Sequence, residues 1–137
     1  MKTAIVGYPR IGAHRELKFA SEQYFRGACT EAELQETAKT LRLANLTQQK
    51  ESGLDWIPSN DFSFYDGMLD TAFLLNAVPK RYRELGLAPL DTYFAAARGY
   101  QGDKGDVKAL AMKKWFNTNY HYMVPELEDE PALPALE

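Results

Sequence analysis

Ala4-Ile5-Val6-Gly7, followed by Tyr8-Pro9-Arg10-Ile11-Gly12, decides how the rest of the chain is read. An apolar run that ends in glycine predicts a short strand buried on both faces, as in parallel sheets. Proline and glycine punctuate the next five residues, which predicts a loop. Residues 14–26 then place Leu17, Ala20 and Tyr24 on one helical face, and Gly27 stops the pattern. The first 27 residues therefore read as a βα unit.

Thr30-Glu31-Ala32-Glu33 has the spacing of a capping box, in which a hydroxyl and a carboxylate satisfy two orphan amides reciprocally. It predicts a long helix over 30–52, with Leu34, Ala38, Leu41 and Asn45 on one stripe. Leu54-Asp55-Trp56-Ile57 before Pro58 predicts a second, weaker strand. A helix over 63–76 follows, carrying Met68, Ala72 and Leu75 on one face. Short helical stretches are expected at 80–85, 90–98 and 107–114, with an exposed glycine-rich loop at 99–105. Residues 119–124 alternate, are rich in β-formers and predict a third strand closed by Pro125. Strands separated by helices indicate an α/β fold with parallel pairing. Three strands make a poor sheet by themselves, and a complete βα barrel takes roughly 250 residues.

The composition narrows the function. The chain has 137 residues and a net charge of −3, with 16 Lys and Arg against 19 Asp and Glu. Five acids and no base fall in 126–137, so the body is slightly basic and the tail acidic. Neither value matches the strong basic excess of a nucleic-acid binder. Cys29 is the single cysteine, and His14 and His121 are the two histidines. A disulfide framework and a multi-thiolate zinc site are excluded within the chain. No run approaches the 18 apolar residues of a membrane span, and the opening apolar stretch is too short for a signal peptide. A soluble, cytoplasmic protein is expected, without nucleic-acid or membrane partners.

Functional residues of α/β folds gather beyond the C-terminal ends of parallel strands. After the first strand come Arg10, His14, Arg15 and Lys18. With a helix starting near Ala13, its first amides and these cations would suit a carboxylate or phosphate. A solvated basic face on a surface helix fits the same spacing. After the second strand come Asp61, Tyr65 and Asp66, where Asp61 suits either a ligand contact or a helix cap. The segment Lys114-Trp115-Phe116-Asn117-Thr118-Asn119-Tyr120-His121-Tyr122 suits either a stacking wall for a planar ligand or a core strand. No P-loop or dinucleotide fingerprint is present, because Pro9 stands where a phosphate cradle needs amide donors.

Three of these segments together resemble one family. Gly7-Tyr8-Pro9-Arg10-Ile11-Gly12 with Arg15-Glu16-Leu17-Lys18 is similar to the N-terminus of cobalamin-independent methionine synthases. Ile57-Pro58, Asp61-Phe62 and Tyr65-Asp66 match its next segment, and the thirteen residues from Lys114 to Glu126 match a third. The resemblance covers about residues 3–126. It implies a helix-rich, partial (β/α)8 TIM-type barrel, made of the first few βα units of an N-terminal barrel. It further implies methyl transfer from 5-methyltetrahydropteroyltriglutamate to homocysteine, with this portion contributing folate and polyglutamate binding. The folate contacts implied are Arg15, Glu16, Leu17 and Lys18, and separately Lys114.

The same resemblance assigns a catalytic zinc to the C-terminal barrel of the family, whose His, Cys and Glu ligands have no counterparts in this sequence. The expectation is a methyltransferase fragment, residues 1–126, that binds no cofactor, is inactive alone and partners with the missing C-terminal barrel. Residues 127–137 are expected to be a disordered acidic tail. Uncovered strand edges predict homo-oligomers of the fragment. Two rival readings are a stand-alone pterin- or polyanion-binding module and a non-catalytic helical assembly domain.

Overall fold

A computed structural model describes residues 1–128, which form two compact units divided after Phe64. The tail expectation falls mainly on 129–137, outside the described residues. The fold is mixed α/β and rich in helix, with no closed barrel among the described residues.

The first unit holds α1 (Glu16–Phe25) and α2 (Glu31–Glu51), which pack on each other. The capping box forms as its spacing requires. Thr30 Oγ1 accepts from Glu33 N at 3.3 Å, and Thr30 N donates to Glu33 Oε2 at 2.7 Å. Those bonds to the charged form hold the Glu33 carboxyl below its usual range. The stripe of α2 is buried at Leu34, Ala38 and Gln49, and α1 contributes Leu17. Asn45 continues this stripe with a polar purpose described below.

The two predicted strands of this unit meet in parallel, but only through an isolated bridge between Ala4 and Trp56, with Trp56 N donating to Thr3 O at 3.1 Å. Asp55 Oδ2 adds bonds from Thr3 N and Thr3 Oγ1. Full burial of the first strand is not observed, since Val6 is fully exposed, and Trp56 of the second strand is largely exposed too. A parallel strand is buried only when neighbours and crossover helices cover both faces. The described residues provide one neighbouring segment and no such cover.

The second unit holds α3 (Gly67–Leu74), α4 (Lys80–Arg83) and α5 (Pro89–Arg98). Two antiparallel hairpins follow: β1 (Tyr100–Gly102) with β2 (Gly105–Val107), and β3 (Met112–Lys114) with β4 (His121–Met123). These correct three expectations. The predicted loop at 99–105 is mostly a hairpin, its strands joined by the two-residue turn Asp103-Lys104. The predicted helix at 107–114 is the end of β2, an extended link and β3. The third predicted strand pairs antiparallel, not parallel. The sequence 107–114 has good helical propensity, but packing overrides it. Leu110 N donates to Ala96 O at 2.8 Å, and Val124 N donates to Ala111 O at 2.8 Å, so those backbone groups serve non-helical partners.

The core of this unit gathers Leu69, Tyr82, Leu90, Tyr93, Phe94, Ala95, Ala96, Ala97, Leu110 and Met123. Three successive buried alanines in α5 let the extended chain lie close to the helix. Gly99 ends α5 at φ 83°, and a Cβ there would stand 3.0 Å from Val107 O, so only glycine fits this crossing. Tyr82 spans the core and donates to Lys108 O at 2.6 Å. On the surface, Arg81 holds Glu126 in a bidentate pair, which lowers the Glu126 carboxyl below its usual range. No helix of the described residues is long and apolar enough to cross a membrane.

Candidate functional site

In the first unit, the candidate residues lie on the loop 7–15 and the first turn of α1. The loop is pinned at several points by distant residues. Tyr8 N donates to Asp61 Oδ2 at 2.8 Å, and Tyr8 OH donates to Gln48 Oε1 at 2.6 Å. Asn45 Nδ2 donates to Pro9 O at 3.2 Å, and Arg10 donates to Phe64 O at 3.1 Å. Asp61 is therefore a loop tether and not a helix cap. The cap of α3 is Asp66, whose Oδ2 accepts from Leu69 N at 3.1 Å.

The helix begins at Glu16 and not near Ala13, which changes the expected amide array. Arg15 is its N-cap in the left-handed conformation, at φ 62° and ψ 33°. Arg15 N donates to Gly12 O at 3.1 Å, and Leu17 N donates to Ile11 O at 3.0 Å. His14 N donates to Glu16 Oε2 at 3.0 Å. These three amides already have protein acceptors. Arg15 and Lys18 supply the positive side chains here.

The four consecutive candidates split by direction. Leu17 is 0% exposed and belongs to the core. Glu16 is half-buried, with its carboxylate turned back onto the loop. Arg15 and Lys18 are both exposed, one as the N-cap and the other in the first turn of α1. Lys18 Nζ lies 3.8 Å from Glu22 Oε1 and 5.9 Å from the Phe19 ring centre, both surface contacts that leave it hydrated. Arg10 and His14 from the same predicted cluster contribute a backbone tether and an exposed side chain, respectively.

In the second unit, Lys114 is the last residue of β3, paired with His121 across the hairpin, and exposed. Trp115 N donates to Tyr120 O at 2.8 Å and closes the tip. Thr118 then folds back, its amide and hydroxyl both donating to Trp115 O. Trp115 packs edge-on against Phe116 at 5.1 Å and Tyr122 at 5.6 Å between ring centres. Trp115 and Tyr120, in the connection of the hairpin, are half-exposed and form an aromatic surface, while Met123 at the end of β4 enters the core.

The hairpin is anchored by Asp66, which is 5% exposed. Its Oδ1 accepts from Tyr120 OH, and its Oδ2 accepts from Met123 N at 3.1 Å as well as from Leu69 N. Beside it, Tyr93 OH donates to Asp70 Oδ1 at 2.5 Å and accepts from Tyr65 N at 3.1 Å. Burial, reinforced by the Asp70 carboxylate, pushes the Tyr93 phenol far above its usual range.

The described residues do not fit a metal site. No three His, Cys, Asp or Glu side chains among them converge to hold an ion, and Cys29 Sγ contacts Ala20 O at 3.6 Å.

Residues 2–135 match the family model described as the cobalamin-independent synthase N-terminal domain. The chain belongs to this family. It is 60% identical over 129 residues to a 5-methyltetrahydropteroyltriglutamate–homocysteine methyltransferase of Campylobacter jejuni subsp. doylei, covering 94% of this chain and 17% of that relative. Proteins of the same name from Lactococcus lactis subsp. cremoris and Streptococcus suis are 57% and 58% identical, over 98% and 97% of this chain. Each is covered to 18% of its length. The chain thus spans about a sixth of the curated relatives it matches.

Asp61 and Asp66 stood out in the sequence, but the tethers Asn45 and Gln48 did not. Asn45 left one usable signal: a polar residue at the end of an apolar stripe has to find a hydrogen-bond partner when half-buried.

Proposed function

We propose that this chain is the folate-side portion of a longer methionine synthase. In this reading the whole protein moves the methyl group of 5-methyltetrahydropteroyltriglutamate to homocysteine. This portion holds the pterin and its glutamate tail. Arg15 and Lys18 take carboxylates of the tail, Lys114 takes another, and Trp115 or Tyr120 flanks the pterin ring. The zinc and the homocysteine site belong to the partner barrel. The observation that carries the reading is the split of the 15–18 block, in which a loop pinned from four sides leaves both cations exposed and turns the acid away.

The finer architecture belongs to the same proposal. The Ala4–Trp56 bridge is the first parallel rung of a (β/α)8 barrel that the remainder of the longer protein completes.

Titration of the chain with 5-methyltetrahydropteroyltriglutamate tests the binding role. Arg15→Ala, Lys18→Ala and Lys114→Ala are each expected to weaken binding about fivefold, since an exposed contact to a carboxylate contributes roughly 1 kcal/mol. Raising the salt from 0.05 to about 0.5 M should weaken the wild type and shrink those differences. No binding at millimolar ligand, or three silent substitutions, overturns the proposal. The purified chain should form no methionine by itself, even with zinc added.

A further inference from the structure

Four described non-glycine residues have positive φ: Arg15, Asn60, Asn76 and Phe116. Asparagine visits this region readily because its short side chain bonds locally, whereas arginine has no such compensation. Arg15 at φ 62° therefore needs its surroundings to hold it. The adjoining carboxylate supplies the hold. Glu16 Oε2 accepts from His14 N at 3.0 Å, so the side chain reaches back across Arg15 and closes a ring around it. The Arg15 amide is fixed on Gly12 O at 3.1 Å, and its carbonyl accepts from Phe19 N at 3.1 Å. Leu17, wholly buried, fixes the other side.

Gly12 makes room for this clamp. A Cβ at Gly12 would collide with the Glu16 carboxylate and stand 3.0 Å from Leu41 Cδ2. The space that a side chain would fill is where the carboxylate lies.

We propose that Glu16 is a positioning residue, which keeps Arg15 left-handed and its guanidinium on the solvent face, and makes no contact with the anionic ligand. This rests on the reading that Arg15 binds a carboxylate. Chemistry supports it: a carboxylate aimed at a glutamate tail would repel it, while one spent on the His14 amide acts only through geometry.

The test uses the full chain and 5-methyltetrahydropteroyltriglutamate as probe. Glu16→Ala should weaken binding about three- to fivefold, no more than Arg15→Ala does, and Glu16→Gln, whose amide oxygen accepts the same bond, should restore it to within about twofold. In an Arg15→Ala background Glu16→Ala should add nothing further, whereas with Lys18→Ala its effect should persist. A ligand-free measurement runs in parallel. The backbone carbon shifts and the HN–Hα coupling of Arg15 should report a left-handed residue in the wild type and Glu16→Gln, and lose that signature in Glu16→Ala. Equal losses for Ala and Gln, an undiminished loss in the Arg15→Ala background, or a left-handed Arg15 in Glu16→Ala each overturn the inference. Failure of the underlying binding role looks different, because Arg15→Ala and Lys18→Ala are then both silent.

Discussion

Replacing Asp66 removes an acceptor that three donors share. Oδ2 serves Leu69 N and Met123 N, and Oδ1 serves Tyr120 OH. In Asp66→Ala the Leu69 amide loses its helix cap, which costs about 1 kcal/mol. Met123 N is left buried without a partner, at a cost of about 1–3 kcal/mol. The Tyr120 hydroxyl, on a half-exposed residue, turns to water at little cost. The expected loss is about 3 kcal/mol. Asp66→Asn is the informative control. Its amide oxygen can take the Oδ2 position and keep both backbone bonds, while its NH2 group donates to the Tyr120 oxygen. That reverses one bond and deletes none, so the expected loss is about 1 kcal/mol, mainly for the weaker uncharged acceptor. Trp56 and Trp115 are the two tryptophans. Trp56→Phe leaves Trp115, packed on Tyr122, to report the second unit. Urea unfolding followed by Trp115 fluorescence, with the slope m unchanged, then reads each loss from the midpoint. If Asn costs as much as Ala, the charge and not the bond count holds the hairpin. If Ala costs under about 1 kcal/mol, the anchoring role is wrong.

Tyr93 gives a pH prediction with a definite sign. Its native pKa is raised above the ordinary value of 10.0, so its contribution is complete below pH 10 and declines above it, as the unfolded phenol ionises first. Tyr93 should contribute a downward slope of about 1.4 kcal/mol per pH unit to the alkaline titration of stability, and Tyr93→Phe should remove that share of the slope; an unchanged slope refutes the assignment. Thr30→Ala should destabilise the first unit by about 1 kcal/mol in thermal melts followed by Trp56, and Thr30→Ser by much less. Equal effects would mean that the capping box contributes nothing. The exposed edge at Val6 predicts concentration-dependent dimers in sedimentation, and Val6→Lys should shift the chain to monomer. A wild-type monomer at all concentrations refutes that expectation.

Some local signals agree with the structure, although those at 99–105 and 107–114 do not. The capping box at Thr30, the long helix after it and the helix ending at Gly99 depend on neighbours within four residues, and all three are observed. Burial of Ile5 and Val6 depends on chain elsewhere, so an apolar run alone misjudged it. Strands β1, β2 and β3 were missed because three residues are too few to show a period, whereas the alternation over 119–124 did mark the strand that holds β4. The specification of the two hairpins lies in the Asp103-Lys104 turn and in the buried Asp66, 57 residues from the Met123 amide it accepts. For the candidate site, resemblance marked 15–18 as one block. Helical geometry divides it, because consecutive residues on α1 point about 100° apart. That division was in principle readable from Leu17, already placed on the apolar face.

The tethers of the loop 7–15 have a consequence for the order of events during synthesis. Asp61 and Phe64 lie 53 and 54 residues beyond the groups they bind. At typical elongation rates of about 5–20 residues per second, that delay is roughly 3–10 s. The segment bearing Arg15 is made early but cannot be fixed until its distant acceptors emerge. A nascent-chain protease assay should find this segment cleavable until residue 64 has cleared the ribosome, and protected afterwards.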